Sequence, residues 1–468
     1  MNQALAGPEY AIAIVIYLLI MVIVGSVVGK RVKEDKDGFL LAGRQLPLIV
    51  LVGTLLATWF GGGTVIGSAS FIYKSGPWAG ILFFSGAPLG ALALIKFAPK
   101  IRSMAKYTVP EILEQHYGRK TSLIASICIL LAYTGIVSYS FTGAAYIVNI
   151  ITGFDQTYST IIAAVIMVLL AVTSGMNSVA WTDFLSTVMI FIGMGFGLFF
   201  VLGASDGYSS AYEALTPAQA SITGGMSLIQ MIGYILPVFL LYLGDQNQLQ
   251  RYACAKSEAE AKKSAKMLFV AMSTVMFLVI SFCLCAIKLM PGINGETVIL
   301  RMAVNYMPFI CGAPLLCACV AFIVTTGDSF ILSAATNIMI DIVQKYFKPD
   351  MTDKQLIKGT RTAIVGVGIF SYIMAVYLPE VLAMQMYSYS MYGAAVTIPL
   401  FGVFFYRKIS QAGGMASVLT GGAAILIWDI ILKRPMGLNG IIIAAPLAII
   451  ALVLFSNIFP REENASAR

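Results

Sequence analysis

The chain has 468 residues, of which 59% are hydrophobic and only 11% charged. A soluble domain carries about 25% charged residues, so this composition excludes a soluble enzyme or scaffold and leaves almost nothing for a water-exposed domain. The formal charge of +8 reads as the positive-inside bias of a membrane protein, not as a nucleic-acid footprint.

A membrane span needs about 20 apolar residues. Windows of that size predict an all-α polytopic membrane protein of about thirteen transmembrane helices. They lie near 9–29, 47–73, 78–98, 122–150, 157–175, 182–203, 226–244, 264–289, 309–343, 359–379, 381–406, 411–432 and 439–459. The first lacks a basic leader and precedes Lys30-Arg31-Val32-Lys33, so it reads as a membrane helix rather than a signal peptide. The 309–343 segment is long enough to tilt strongly or to continue beyond the bilayer.

Taking alternate connections as cytoplasmic places only Lys74, Lys288, Arg301, Lys433 and Arg434 on the other side, against 25 Lys/Arg within. This split predicts a plasma membrane protein, in a bacterial inner membrane, with its N-terminus outside and its C-terminus cytoplasmic. The basic group at 251–266 is assigned to a cytoplasmic loop in this count.

The second span is interrupted by Ala57-Thr58-Trp59-Phe60-Gly61-Gly62-Gly63-Thr64-Val65-Ile66-Gly67. Each glycine costs a helix about 1 kcal/mol relative to alanine. Unwound backbone at membrane depth is tolerated only where it is buried in protein or lines a cavity. A broken helix of this kind places carbonyls and half-helix ends around solute and ions in secondary transporters; the competing explanation is that the glycines let another helix pack closely. A second interrupted span, 226–244, carries Gly233, Pro237 and Gly244. The chain therefore divides into an N-terminal helix and loop (1–46), a first five-helix set (47–203), a second set (226–407) and two C-terminal helices with a short tail (411–468). Five is odd, so the two sets form a 5+5 inverted repeat with discontinuous first and sixth core helices.

Two carboxylates fall inside spans. An aspartate at a helix centre costs around 2.5–3.5 kcal/mol on insertion scales and needs a partner or an aqueous cavity. Asp183 follows Trp181-Thr182; Asp328 shares one helix face with Thr325, Ser329 and Ser333. Hydroxyls with a carboxylate suit a hard cation such as sodium; hydrogen bonding between helices is the alternative, and Asp183 could instead be a helix N-terminal acid. His116 sits in a polar loop, and the seven cysteines show no zinc-type spacing. With no phosphate loop and no nucleophile–histidine pair, the expectation is not an enzyme, with no organic cofactor and no metal beyond sodium.

The ordered motifs carry a resemblance. They are Phe39-Leu40-Leu41-Ala42-Gly43-Arg44, the Ala57–Gly67 stretch, Tyr107-Thr108-Val109-Pro110-Glu111, Trp181-Thr182-Asp183, Gln250-Arg251 with Ala255-Lys256-Ser257, and Ser333-Ala334-Ala335-Thr336-Asn337. Over about residues 36–435 the chain resembles the sodium/solute symporter family, similar in fold to the leucine-transporter group. The resemblance implies sodium-coupled import of a small organic solute by alternating access. It implies a sodium site of Ala57, Phe60, Phe322, Thr325 and Thr326, the first three through carbonyls. It also implies a second ion or proton site of Asp183, Asp328 and Ser329 together with Thr325.

By the same register Trp59, Gly61 and Thr64 face the solute, and Tyr242 is an aromatic inner gate. The motif around Trp59 is similar to that of choline-transporter members. An indole face attracts quaternary ammonium groups, with Tyr133, Tyr242, Tyr387 and Tyr389 as further candidate walls; an amino acid or carboxylate remains the alternative. The expected partners are the solute and the lipid bilayer, with the monomer as the functional unit. Proton coupling, or a solute sensor working with a separate partner, are the competing functions. Only Pro460–Arg468 follow the last helix, so no fused signalling domain is expected.

Overall fold

A computed structural model describes residues 6–29, 35–104, 108–173, 175–406 and 408–460. Tyr107 and the counted charges Lys30, Arg31, Lys33, Lys106, Arg407, Arg461 and Arg468 lie outside the described residues. Among those described the fold is helical, with one isolated bridge between Leu46 and Ala255. Eleven helices are long and apolar enough to cross a bilayer, or up to twelve with the bent pair Leu48–Trp59 and Gly63–Ser75. The segment predicted at 157–175 is also helical, Gln156–Thr173, but its apolar stretch is shorter than the others.

Burial orders these helices. Pro8–Gly29 has 22% of its most apolar window buried, and Ile12, Val15, Ile16 and Leu19 face outward. The Phe309–Phe347 segment has 83% buried. It is a central post, and a central helix is where hydroxyls and carboxylates find protein partners instead of lipid. It packs on Met176–Ala204, on Arg119–Thr152 and on the first half of the broken helix.

Local chemistry sets the ends. Val109–Tyr117 starts at Thr108, whose Oγ1 accepts from Glu111 N while Glu111 Oε2 accepts from Thr108 N. This reciprocal cap satisfies two otherwise orphaned amides. Thr108 Oγ1 also donates to Asp341 Oδ1 at 3.2 Å, tying the short helix to the end of the central post. Thr108→Ala is expected to cost about 1 kcal/mol, lowering the thermal midpoint in detergent by about 1–3 °C. An unchanged midpoint would show that packing alone holds this helix.

The second interrupted span differs from its prediction. Leu228–Gly244 runs through Gly233 and Pro237 without a break. The chain turns at Asp245 and continues as Gln246–Ala253. Every residue of that polar helix is buried, so the span is longer than 226–244 and its break lies at Gly244–Asp245. Arg251, counted with a cytoplasmic loop, is wholly buried. The segment looked like loop because Gln-Asn-Gln-Leu-Gln-Arg is polar. It is buried because neighbouring helices satisfy its side chains: Gln246 Nε2 donates to Asn337 Oδ1 (2.7 Å), Gln248 Nε2 to Leu55 O (3.1 Å), and Ser333 Oγ to Asn247 Oδ1 (2.6 Å).

Candidate functional site

The first broken helix stops at Phe60, whose ψ of 52° leaves the helical region, and resumes at Gly63 with a bend of 55°. The break supplies its own partners: Thr64 Oγ1 donates to Trp59 O (3.1 Å) and Ser68 Oγ to Gly63 O (3.1 Å). Thr64 was expected to face the solute. It does not line the cavity beside the break; its hydroxyl is turned back into the chain, satisfying a carbonyl that the missing turn leaves open. The glycines also differ from one another. A Cβ on Gly61 would lie 2.3 Å from Thr326 Oγ1, whereas one on Gly62 would find nothing nearer than 3.5 Å. Close helix packing, the competing reading of the run, thus applies at Gly61 within the break itself.

That approach brings the predicted ion residues together. Thr326 Oγ1 donates to Ala57 O at 3.2 Å, and the Phe60 and Phe322 rings meet edge-on at 5.5 Å. Thr325 Oγ1 is buried beside the Asp183 carboxylate and makes no hydrogen bond of good geometry. A buried polar oxygen left unmade is costly, so its place beside an unwound carbonyl-rich segment fits a hard cation that takes oxygen ligands.

One step along the central helix lies a charged cluster. Asp183 Oδ2 accepts from Thr54 Oγ1 (2.6 Å) and from Arg251 Nη2 (3.3 Å). Arg251 also donates from Nε to Thr54 Oγ1 (2.8 Å), from Nη2 to Ser329 Oγ (2.7 Å) and from Nη1 to Asn247 O (3.2 Å). Two of the residues expected to hold a second ion, Asp183 and Ser329, therefore share a guanidinium. Asp183 Oδ1 and Asp328 Oδ1 are buried without hydrogen-bond partners. Asp328 and Thr325 line a cavity of about 760 Å³ whose lining also includes Lys354, Lys358 and Arg361.

Beside the break is a small cavity of about 10 Å³, room for about one water. Trp59, Gly61 and Tyr242 line it, with Tyr139, Phe330, Tyr389 and Asp245. Tyr242 meets the indole edge-on at 5.3 Å, and Tyr389 lies 5.9 Å away on a tilt. Tyr139 Oη reaches Tyr389 Oη at 3.4 Å. Of the other candidate walls, Tyr387 is not among the lining residues, and Tyr133 stands behind them, donating to Asp245 Oδ1 at 2.6 Å.

Sequence reasoning missed Tyr139 and Asp245. Tyr139 sits mid-helix in Ser138-Tyr139-Ser140 with nothing local to mark it. Asp245 had a signal: it directly follows Gly244 at the end of an apolar span, with no basic residue before Arg251. It also caps the next helix, accepting from Asn247 N at 3.3 Å.

Comparison with known proteins agrees with this architecture. The chain is 24% identical over 427 residues to the high-affinity proline transporter PutP of Bacillus subtilis, covering 87% of this chain and 89% of that one. It is 26% identical over 468 residues to the high-affinity choline transporter 1 of Drosophila melanogaster, covering 91% and 72%. A substrate-bound, outward-open structure of a Na+-coupled sialic acid symporter superposes with a TM-score of 0.80 at 19% identity, over 97% of this chain and 98% of that one; this establishes a shared fold. Residues 39–421 match the sodium:solute symporter family, and over that range, with its broken helix set against a central polar post, the chain belongs to that family.

Proposed function

We propose that this transporter imports a small organic cation, an amine or quaternary ammonium compound, with sodium moving in the same direction. The observation that carries the substrate class is the lining of the small cavity. Among the described residues that line it, Asp245 alone is charged, and Trp59, Tyr139, Tyr242 and Tyr389 supply aromatic walls. Ring faces attract a desolvated cation by about 2 kcal/mol or more, and a carboxylate supplies the opposite charge. Choline transporters among the relatives point the same way. A net anion in this cavity would meet Asp245, and no cationic side chain is among the described lining residues.

For sodium the ligands are the carbonyls of Ala57, Phe60 and Phe322 with the hydroxyls of Thr325 and Thr326. Gly61 belongs to both sites, because it lines the solute cavity and approaches Thr326. Thr326 also lines that cavity, so solute and ion meet at one break, which is the simplest physical basis for coupling: each orders the segment that the other needs. The cavity beside Thr325 and Asp328 is the release route toward the cytoplasm. In this reading the sets 47–203 and 226–407 are inverted halves of a monomeric carrier. Its N-terminus lies outside a bacterial inner membrane.

The test is uptake into proteoliposomes of labelled choline and, separately, labelled proline, under imposed sodium or proton gradients. Accumulation of choline driven only by inward sodium is expected. Uptake that ignores sodium and follows a proton gradient would sink sodium coupling; sodium-driven uptake of proline alone would sink the cation reading. Thr325→Ala should raise the sodium concentration for half-maximal uptake roughly tenfold, as loss of about 1.4 kcal/mol would. An unchanged sodium dependence would remove Thr325 from the site.

A further inference from the structure

The larger cavity, of about 760 Å³, is within the size range of small-ligand sites. Its walls come from Pro8–Gly29, through Leu18 and Val22, from Met176–Ala204 and the central helix, and from the start of Asp353–Tyr377. Pro8–Gly29 and Asp353–Tyr377 each pack on the central helix, and no comparable packing joins them to each other among the described residues. The cavity therefore occupies a gap between two membrane helices. Val22 lines it and is 45% exposed, so this wall runs into the lipid-facing surface that carries Val15 and Leu19. The wall from Asp353–Tyr377 is graded in polarity. Lys354, Lys358 and Arg361 stand at four- and three-residue spacing, so they share one helix face. Val365 and Ile369 continue that face and are exposed. All three cations line the cavity, are exposed and make no ion pair among the described residues. They outnumber the one acidic residue of the described lining, Asp328, whatever its protonation state.

We propose that this cavity binds an anionic phospholipid, which enters from the bilayer between Pro8–Gly29 and Asp353–Tyr377. Its phosphate lies against Lys354, Lys358 and Arg361, and an acyl chain runs along Leu18 and Val22. A basic helix start alone would be ordinary; the cavity beside this one singles it out. The order of polarity matches the ligand, with cations in the first three turns of the helix and apolar residues beyond them. The charge count assigns that end to the cytoplasmic side, where anionic lipids gather and basic pockets between membrane helices take their headgroups. Long basic side chains reach the headgroup layer while their stems cover apolar surface. The site needs neither the coupling ion nor the solute proposed above. Thr325 and Asp328 line the same cavity, so a lipid seated in it narrows the release route of that reading.

The experiment is binding of radiolabelled phosphatidylglycerol and, separately, phosphatidylcholine to the purified full-length protein in neutral detergent at low salt. The wild type is expected to hold phosphatidylglycerol at least about tenfold more tightly. Lys354→Gln, Lys358→Gln and Arg361→Gln together should abolish that preference. Lys262→Gln, Lys263→Gln and Lys266→Gln remove the same charge from another exposed helix start that lines no part of this cavity, and should keep it. Val22→Trp fills the gap without changing charge and should weaken phosphatidylglycerol binding as well. Thermal midpoints without added lipid check that each variant is folded. The three cations are exposed, so their replacement leaves the fold in place and decides the matter if Val22→Trp is unstable. Equal binding of both lipids by the wild type, equal losses in the two charge variants, or undiminished binding in folded Val22→Trp would each overturn the site. Displacement of the lipid by soluble glycerol phosphate would also overturn it, assigning the cations to a free phosphate compound. Sodium-driven uptake tests the earlier reading separately.

Discussion

Asp245→Asn is expected to raise the concentration of a quaternary ammonium solute needed for half-maximal uptake by roughly 100-fold. Removing one partner of a buried charge pair costs about 2–5 kcal/mol, and each 1.4 kcal/mol is a factor of ten. The substitution is chosen to leave the fold in place. Asparagine caps helices about as well as aspartate, so the bond from Asn247 N is retained. Its amide oxygen still accepts from Tyr133 Oη. What is lost is the charge alone. Sodium binding, measured without solute, should change less than about twofold, since Asp245 is not among the proposed ion ligands. A variant that binds the cation as well as the wild type would remove Asp245 from recognition. Equal losses of solute and sodium binding would mean that the second break had collapsed, and that Asp245 is only a cap.

Gly61→Ala is expected to cripple sodium binding and uptake together, whereas Gly62→Ala is expected to be nearly silent. The two residues are neighbours in one glycine run, yet their surroundings differ. The added methyl at Gly61 would lie 2.3 Å, 2.6 Å and 2.7 Å from Oγ1, Cβ and Cγ2 of Thr326. Rotation of the Thr326 side chain moves Oγ1 and Cγ2 but not Cβ, so the 2.6 Å approach remains and the broken helix must move off the central post. Overpacking costs about 1–3 kcal/mol. That corresponds to roughly 5- to 150-fold in the sodium midpoint, and it also parts Thr326 from Ala57 O. At Gly62 the nearest atoms, Ser140 Cα and Ile323 Cγ1, stand at 3.5 and 3.6 Å, which is ordinary contact. The measurement is sodium-dependent uptake and sodium binding for both variants. Comparable damage at the two positions would show that the glycines serve backbone flexibility, not the close approach at Gly61.

These two experiments probe different kinds of information. The break at Phe60–Gly63 was legible because glycine content and hydropathy are local properties, and a glycine run inside an apolar window has few physical explanations. The stripe of Thr325, Asp328, Ser329 and Ser333 was legible for the same reason: helical spacing places them on one face whatever surrounds the helix. The second break was placed only in part: Gly244 lies at it. Gly233 and Pro237 look like breakers, but the helix carries them without interruption, and the real turn at Asp245 is followed by a polar segment that reads as loop.

By itself, then, the sequence determined a polytopic helical membrane protein, its first broken span and the polar face of its central helix. Each of these depends on residues within a few turns of one another. Tertiary structure decided what the polar groups do. Thr54 and Asp183 are 129 residues apart, Arg251 and Asp183 are 68 apart, and Tyr133 and Asp245 are 112 apart. A buried charge is stable only through partners that desolvate with it, and those partners come from other helices. The burial of Arg251, and Asp245 facing the indole's cavity, therefore became visible only when the helices were packed together.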